Sequence, residues 1–362
     1  MTDDRAWNVW EVIQDARRRA EDSGHRVIDL GQGTPTDPTP DTVQGALAAA
    51  ADAPGYPPAH GTETLREAYS DWLHRSTGAA LDPTDVVATV GSKEFIATVP
   101  WLLGLGPSDT VVVPELAYPT YAAGAEAAGC RLLAADSTIA IGPARVSLLW
   151  LNTPSNPTGA VLPEEHLAKV VDWARARGTI VISDECYREL GGPAGNAPSI
   201  LSPRVARGSY EGIVAVHSLS KRSSMAGYRC GFAAGDATVI RTLVRRRRDL
   251  GLIVPTPVQA AAVAALGDDA GVAAARERYI VRRALLRSAV ETAGFEVDGS
   301  EAGLFLLVTR DQPDTETVGW FADRGLVVAP GGFYGPRGDR HVRLAITATD
   351  ADLTDAAARI TA

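Results

Sequence analysis

The sequence is poor in lysine: of its 35 basic residues only Lys93, Lys169 and Lys221 are lysines, the rest being arginines. An arginine stays protonated in a folded protein, whereas a lysine can lose its proton and become a nucleophilic amine. Any chemistry that needs such an amine therefore has three candidates. Cysteine is scarce too. Cys130, Cys186 and Cys230 are an odd number without C-x-x-C spacing, which argues against a disulfide framework and for a reducing, cytoplasmic setting. The six histidines show no spacing such as H-E-x-x-H, so no metal site is expected. No run approaches the roughly 20 apolar residues of a membrane span. Residues 1–21 are rich in Asp, Glu, Arg and Trp and lack the apolar stretch of a signal peptide. A net charge of −9 gives no electrostatic case for nucleic acid.

What is present is the composition of an ordinary globular protein, 45% apolar and 22% charged over 362 residues, enough for about two domains. Apolar residues recur at helical spacing over 7–20 (Trp7, Val9, Trp10, Ile13, Ala16, Ala20), and 27–30 reads as a short strand. Residues 31–40, with two glycines and three prolines, are irregular. Helices are expected at 42–51 and from 64. From residue 86 short apolar runs (86–90, 110–114, 131–135, 146–151, 179–183, 212–217, 231–234) are interspersed with helical stretches, which predicts a largely parallel sheet covered on both faces. Beyond about 245 the pattern changes. A helical region over 258–292, broken near Gly267-Asp268-Asp269, precedes strands at 295–297, 304–308, 327–329 and 342–346, the makings of a smaller α+β domain. The basic run at 245–248 is either a solvated helix face or the source of an arginine aimed at an acidic substrate.

Open α/β sheets bind ligands beyond the carboxyl ends of their strands. The loops there hold Gly91-Ser92-Lys93, Ala117-Tyr118-Pro119, Asn152-Thr153-Pro154-Ser155-Asn156-Pro157, Asp184-Glu185-Cys186-Tyr187 and Ser218-Leu219-Ser220-Lys221. Singly each is weak; together they suit pyridoxal 5′-phosphate (PLP). That cofactor needs a lysine to form an imine, a carboxylate to keep its ring nitrogen protonated, donors on its phenolic oxygen, an aromatic on its ring and a phosphate cup. Asp184, at a strand end, suits the carboxylate role, with a helix N-cap as its plainer alternative. Gly91-Ser92-Lys93, at a strand-to-helix turn, suits phosphate. Lys169 sits mid-helix on a solvated face.

The series Asn152-Thr153-Pro154-Ser155-Asn156-Pro157-Thr158-Gly159, Ser183-Asp184-Glu185-Cys186-Tyr187, Ser218-Leu219-Ser220-Lys221 and Gly227-Tyr228-Arg229-Cys230-Gly231 resembles that of class I/II aminotransferases. The likeness runs from about Ile28 to Arg343. It implies an α/β protein of PLP fold type I, aspartate-aminotransferase-like, with a mostly parallel seven-stranded sheet in a large domain (38–248) and a smaller α+β domain (1–37 and 249–362). More narrowly, Gly33-Thr34-Pro35, the stretch from Val113 to Tyr121, that from His217 to Tyr228, and Val254-Pro255-Thr256-Pro257-Val258-Gln259-Ala260-Ala261 are similar to actinobacterial N-succinyldiaminopimelate aminotransferases. Those enzymes serve lysine biosynthesis.

The resemblance implies a role for each site residue. Lys221 carries the cofactor as a Schiff base and moves the proton between carbons. Asp184 pairs with the pyridinium nitrogen, Tyr187 and Asn156 hold the phenolic oxygen, and Tyr118 stacks on the ring. Ser92, Lys93 (through its backbone amide), Ser218, Ser220 and Arg229 form the phosphate cup. Tyr56 reaches the phosphate of the neighbouring subunit, which implies a homodimer with shared sites. Arg343 grips the substrate α-carboxylate, with the Gly33 backbone amide and Asn156 nearby. The substrates implied are L-glutamate as amino donor and a keto-acid acceptor, N-succinyl-2-amino-6-ketopimelate in the closer likeness, with Arg222 or the 245–248 run at its distal carboxylates. A related PLP enzyme stays open: a transaminase or oxidase of specialised metabolism, or a β/γ-lyase. A DNA-binding regulator is disfavoured by the acidic charge.

Overall fold

The computed structural model describes residues 4–192 and 195–362. Met1 to Asp3, assigned above to the smaller domain, and the side chains of Trp7 and Val9 lie outside what it describes. The apolar runs of the middle of the chain form a seven-stranded sheet. Its order is Val86–Thr89, Gly231–Gly235, Ile213–Ser218, Ile180–Asp184, Leu148–Asn152, Thr110–Val113, Arg131–Ala134. Only Gly231–Gly235 runs against its neighbours; the other pairings are parallel.

Successive residues of a strand point to opposite faces, and here both faces are filled. Val181, Ile213 and Ala215 pack with Leu65, Leu73 and Leu167 on one side. Ile182, Val214 and Val216 pack with Phe95, Val99, Tyr121 and Leu243 on the other. That double burial is why these strands read as continuous apolar runs. A side chain such as Leu65 or Phe95, fully buried, contributes roughly 1.5–3 kcal/mol, so the strand ends are a firm platform.

The smaller unit has its own core, including Leu30, Leu286, Phe305, Phe321 and Leu344. Phe305–Thr309 lies antiparallel between His341–Ala345 and Glu296–Asp298. The single strand expected at 327–329 is split. Leu326–Val327 pairs in parallel with Ile28–Asp29, whereas Ala329–Pro330 pairs with Val342 and Arg343; apolar content reports burial but not which partner a residue takes.

The cores also part later than residue 248. Val254, Ala261, Ala262, Ala265 and Leu266 belong to the large unit's core, since the helix Thr256–Leu266 lies on Asp41–Ala49 and Glu63–Thr77. Its buried Gln259 accepts from the Thr62 amide at 2.7 Å and donates to the Val254 carbonyl at 2.8 Å. The break expected near Gly267 is the start of the helix Asp269–Thr292, where Asp268 accepts from the Gly271 amide.

The N-terminal helix Asp4–Asp22 is two-sided. Ala16 and Ala20 enter the small core with Val12 beside them, while Trp10, Ile13 and Arg17, at i, i+3 and i+7, face a cavity.

Candidate active site

The cavity, about 770 Å³, opens where the parallel strands end. Strand register sets its floor: Asn152 and Asp184 are the last residues of adjacent strands and lie opposite one another. The Asn152 side chain donates to the Asp184 carbonyl at 3.0 Å and accepts from the Asn156 amide at 2.7 Å. One asparagine thus shapes the loop that brings Asn156 into the cavity.

Asp184 is 3% exposed. Its carboxylate accepts from the Tyr121 hydroxyl at 2.8 Å and the Cys186 amide at 3.1 Å. Burial pushes the Asp184 carboxyl up from its usual value, against the pull of those donors and of His217. Among the described residues no cationic side chain pairs with it, so the charge is only partly compensated. A protonated ring nitrogen would complete it.

Lys221 stands on the short helix after Ile213–Ser218, with its Nζ donating to the Gly33 carbonyl. Burial pushes its ammonium down to about 8, and the charges of Arg343 and Arg229 act the same way. A lysine so placed has an accessible neutral amine near physiological pH.

At the other end Arg229, at φ 56°, donates to the Ala226 carbonyl at 2.9 Å and the Val90 carbonyl at 3.3 Å. Gly91 has φ 75°, and a Cβ there would lie 2.3 Å from the Arg229 guanidinium. Only glycine admits that approach. The helix Gly91–Leu102 begins at this point with Ser92 and Lys93 on the cavity wall, and Ser218 and Ser220 join them. Backbone amides at a helix start, two hydroxyls and a guanidinium form an anion cradle.

Arg343 is 6% exposed and donates to Asn156 Oδ1 at 2.8 Å and the Gly31 carbonyl at 2.5 Å. Its guanidinium lies 4.0 Å over the Phe305 ring and 5.0 Å from that of Tyr334. Its Nε is buried without a partner. Gly33 closes the same corner: a Cβ there would lie 2.5 Å from Phe305. Tyr118 and Tyr187 complete the wall.

Every sequence-derived site residue except Tyr56 lines this one cavity; Tyr56 is fully exposed on the surface of the single chain. The two guesses for distal carboxylates do not reach it. Arg222 is buried beside Glu189, donates to the Ala265 carbonyl at 2.7 Å and faces Trp72. Of the 245–248 run, Arg247 is fully buried and forks onto Glu94 with two 2.8 Å bonds, while Arg245 and Arg248 are exposed. The solvated face is right for part of the run, and the buried member is structural. His217, read as a packing residue, lies behind the cavity with a 2.5 Å bond between its Nδ1 and the Tyr69 hydroxyl and a 3.0 Å bond to Glu185.

Sequence reasoning gave no role to Tyr121, Asn152, Trp10, Arg17, Phe333 and Tyr334, all on the cavity wall. Tyr121 could have been found three residues after Tyr118, in the first turn of the helix Thr120–Ala127. Cys186 also lines the cavity, but burial and the neighbouring Asp184 push its thiol far up, so it is no ready nucleophile.

The donor set fits PLP: a buried carboxylate lacking a cation, a lysine amine poised near neutrality, an anion cradle and aromatic walls. Fold and site together are those of a PLP-dependent enzyme of fold type I. More closely, the chain belongs to the aminotransferase class I and II family, whose model matches residues 25–360. It is 52% identical to a probable aminotransferase of Mycobacterium tuberculosis over 353 residues, 97% of this chain and 84% of that one. It is 49% identical to the 4-dedimethylamino-4-oxo-anhydrotetracycline transaminase OxyQ of Streptomyces rimosus, covering 97% and 98% of the two. Among solved structures, a probable N-succinyldiaminopimelate aminotransferase from Thermus thermophilus superposes with a TM-score of 0.89 at 30% identity, over 98% and 99% of the two chains.

Proposed function

We propose that this aminotransferase takes the amino group of L-glutamate and passes it, in a ping-pong reaction, to N-succinyl-2-amino-6-ketopimelate, in diaminopimelate and lysine biosynthesis in the cytoplasm. The observation that carries the α-amino-acid part is Arg343, buried on an aromatic ring with its Nε unpartnered, in the cavity that holds Lys221. A carboxylate is the ligand such a fork selects. For the acceptor the support is the likeness to the Thermus thermophilus structure.

PLP, bound here, supplies the electron sink for chemistry at the carbon bearing nitrogen. The chain's own residues do the rest. Lys221, with its pKa near 8, accepts and returns a proton at the reacting carbon. Asp184 holds the ring-nitrogen end through its buried charge, and Tyr121 keeps that carboxylate oriented. Tyr187 and Asn156 hold the phenolic oxygen and Tyr118 covers the ring. Ser92, the Lys93 amide, Ser218, Ser220 and Arg229 retain the phosphate between the two half-reactions. The Gly33 amide assists Arg343. Tyr56, wholly exposed in one chain, completes the phosphate site of a second copy, so that the working unit is a homodimer.

A second reading has a specific observation behind it. OxyQ is named for a polycyclic substrate, and the cavity wall here carries Trp10, Phe333 and Tyr334. The enzyme would then be a transaminase of specialised metabolism. The test is spectroscopic: glutamate alone should convert the cofactor to its amine form, bleaching the visible band. An unchanged spectrum would sink the donor assignment. A panel of keto acids, the succinylated pimelate among them, then decides between the acceptors.

A further inference from the structure

The N-terminal helix carries Trp10, Ile13 and Arg17 as a stripe along the cavity wall. Arg17 is the one cation on that wall, among the described residues, to which no role has been given above. It is part of a short chain of contacts. Its NH2 donates to Asp29, whose other oxygen accepts from the Gly31 amide at 2.9 Å, and the Gly31 carbonyl accepts from Arg343 at 2.5 Å. Asp29 and Gly31 are two positions apart, at most ~7 Å of chain. A second guanidinium is thus tethered near the first, on the wall of the same cavity. Its side chain is 38% exposed, and Asp29 is its only hydrogen-bond partner among the described residues. Nε and NH1 are left to meet a ligand.

We propose that Arg17 is the specificity-determining residue for the distal carboxylate of a long, dicarboxylic 2-oxo acid, whose chain lies between Arg343 and Arg17 against Ile13 and Trp10. This rests on the aminotransferase reading in which Arg343 takes the α-carboxylate. Asp29 is the counter-charge that a substrate carboxylate joins or displaces. The assignment replaces Arg222 and the 245–248 run, which lie away from the cavity.

A matched pair of acceptors tests it: 2-oxopimelate, with a carboxylate at carbon seven, and 2-oxoheptanoate, with a methyl group there. Losing one charge-assisted contact should raise the KM of Arg17→Gln for 2-oxopimelate by about 10-fold or more. Its kcat should stay within about 3-fold, and the KM for 2-oxoheptanoate should hardly move. Arg17→Lys should restore part of the loss. Asp29→Asn keeps an oxygen for the Gly31 amide and removes the competing charge, so it should lower the KM for 2-oxopimelate. An equal rise for both acceptors in Arg17→Gln, or none for either, overturns the proposal. So does a rise in Asp29→Asn that copies Arg17→Gln, because the pair would then be merely structural. Wild-type enzyme that takes up the amino group from glutamate but passes it to neither acceptor also overturns it. Wild-type enzyme that takes up no amino group removes the reading beneath it.

Discussion

Tyr121 donates its phenol hydrogen to Asp184 across 2.8 Å, in a site where both side chains are buried and Trp150 stacks on the tyrosine at 4.8 Å. The carboxylate proposed to anchor the cofactor therefore depends on a donor from the helix Thr120–Ala127, held by packing. Tyr121→Phe keeps the ring and strips the donor. Leaving a buried carboxylate oxygen short of a partner costs about 1–3 kcal/mol. It also lets the Asp184 carboxyl rise further above its usual value. The expected outcome is a PLP dissociation constant about ten-fold higher, with the deficit growing as the pH falls. Cofactor titration of the apoprotein at several pH values measures it.

Lys221 sets a pH dependence whose sign is fixed. Its ammonium is pushed down to about 8 by burial, below the ordinary lysine value of about 10.4. Below pH 8 the group is charged both folded and unfolded, and the desolvation cost is fully present. That cost is relieved as the pH rises from 8 towards 10.4. In the apoenzyme, reductive labelling of Lys221 by a small aldehyde should therefore climb through pH 8 and level off, about two units before an ordinary lysine amine. A plateau that waits for pH 10 would contradict the burial argument. Lys221→Ala should lose the visible absorbance of the lysine-linked cofactor and turnover together.

Gly91→Ala should damage the anion cradle specifically. The new methyl meets the Arg229 guanidinium at 2.3 Å and must adopt φ 75°, a conformation costing about 1–2 kcal/mol for an L residue. Arg229 has to move, and phosphate grip goes with it. PLP affinity should fall at least ten-fold, and inorganic phosphate should compete less well for the apoprotein.

The Arg247–Glu94 fork predicts a stability effect. Arg247 is fully buried, and Glu94 also accepts from the Val90 amide at 3.1 Å, so the pair braces the first turn of the helix that starts at Gly91. Removing one partner, as in Glu94→Ala, strands a buried charge and should cost about 3–5 kcal/mol. Urea unfolding gives the number. A change within 0.5 kcal/mol would return the run to the status of a solvated face.

Much of this was legible in the residues. Strands such as Ile213–Ser218, buried on both faces, announce a covered parallel sheet because neither face needs polar residues. Lys221, Asp184, Asn156 and Arg229 follow strand ends or glycine turns, where local chemistry leaves a mark. Three things were less visible. Arg247 and its neighbours spell one basic run, and only packing decides which of them turns inward against Glu94. Helix Thr256–Leu266 is alanine-rich, so its sequence does not say which unit it packs on. Arg17 reads as an ordinary amphipathic-helix position, and only the fold brings it to the Asp29 strand.

The segment from Gly31 to Gly33 carries a mechanical consequence. Two of its carbonyls, two residues apart, accept from the two side chains proposed to handle opposite ends of an amino acid: Gly31 holds Arg343 from the small unit, and Gly33 holds Lys221 from the large one. In the proposed reaction, a carboxylate that draws Arg343 off its carbonyl would act on the same strip of backbone that holds the lysine. Arrival of one end of the substrate and release of the amine for the other would then be geared through the same three residues.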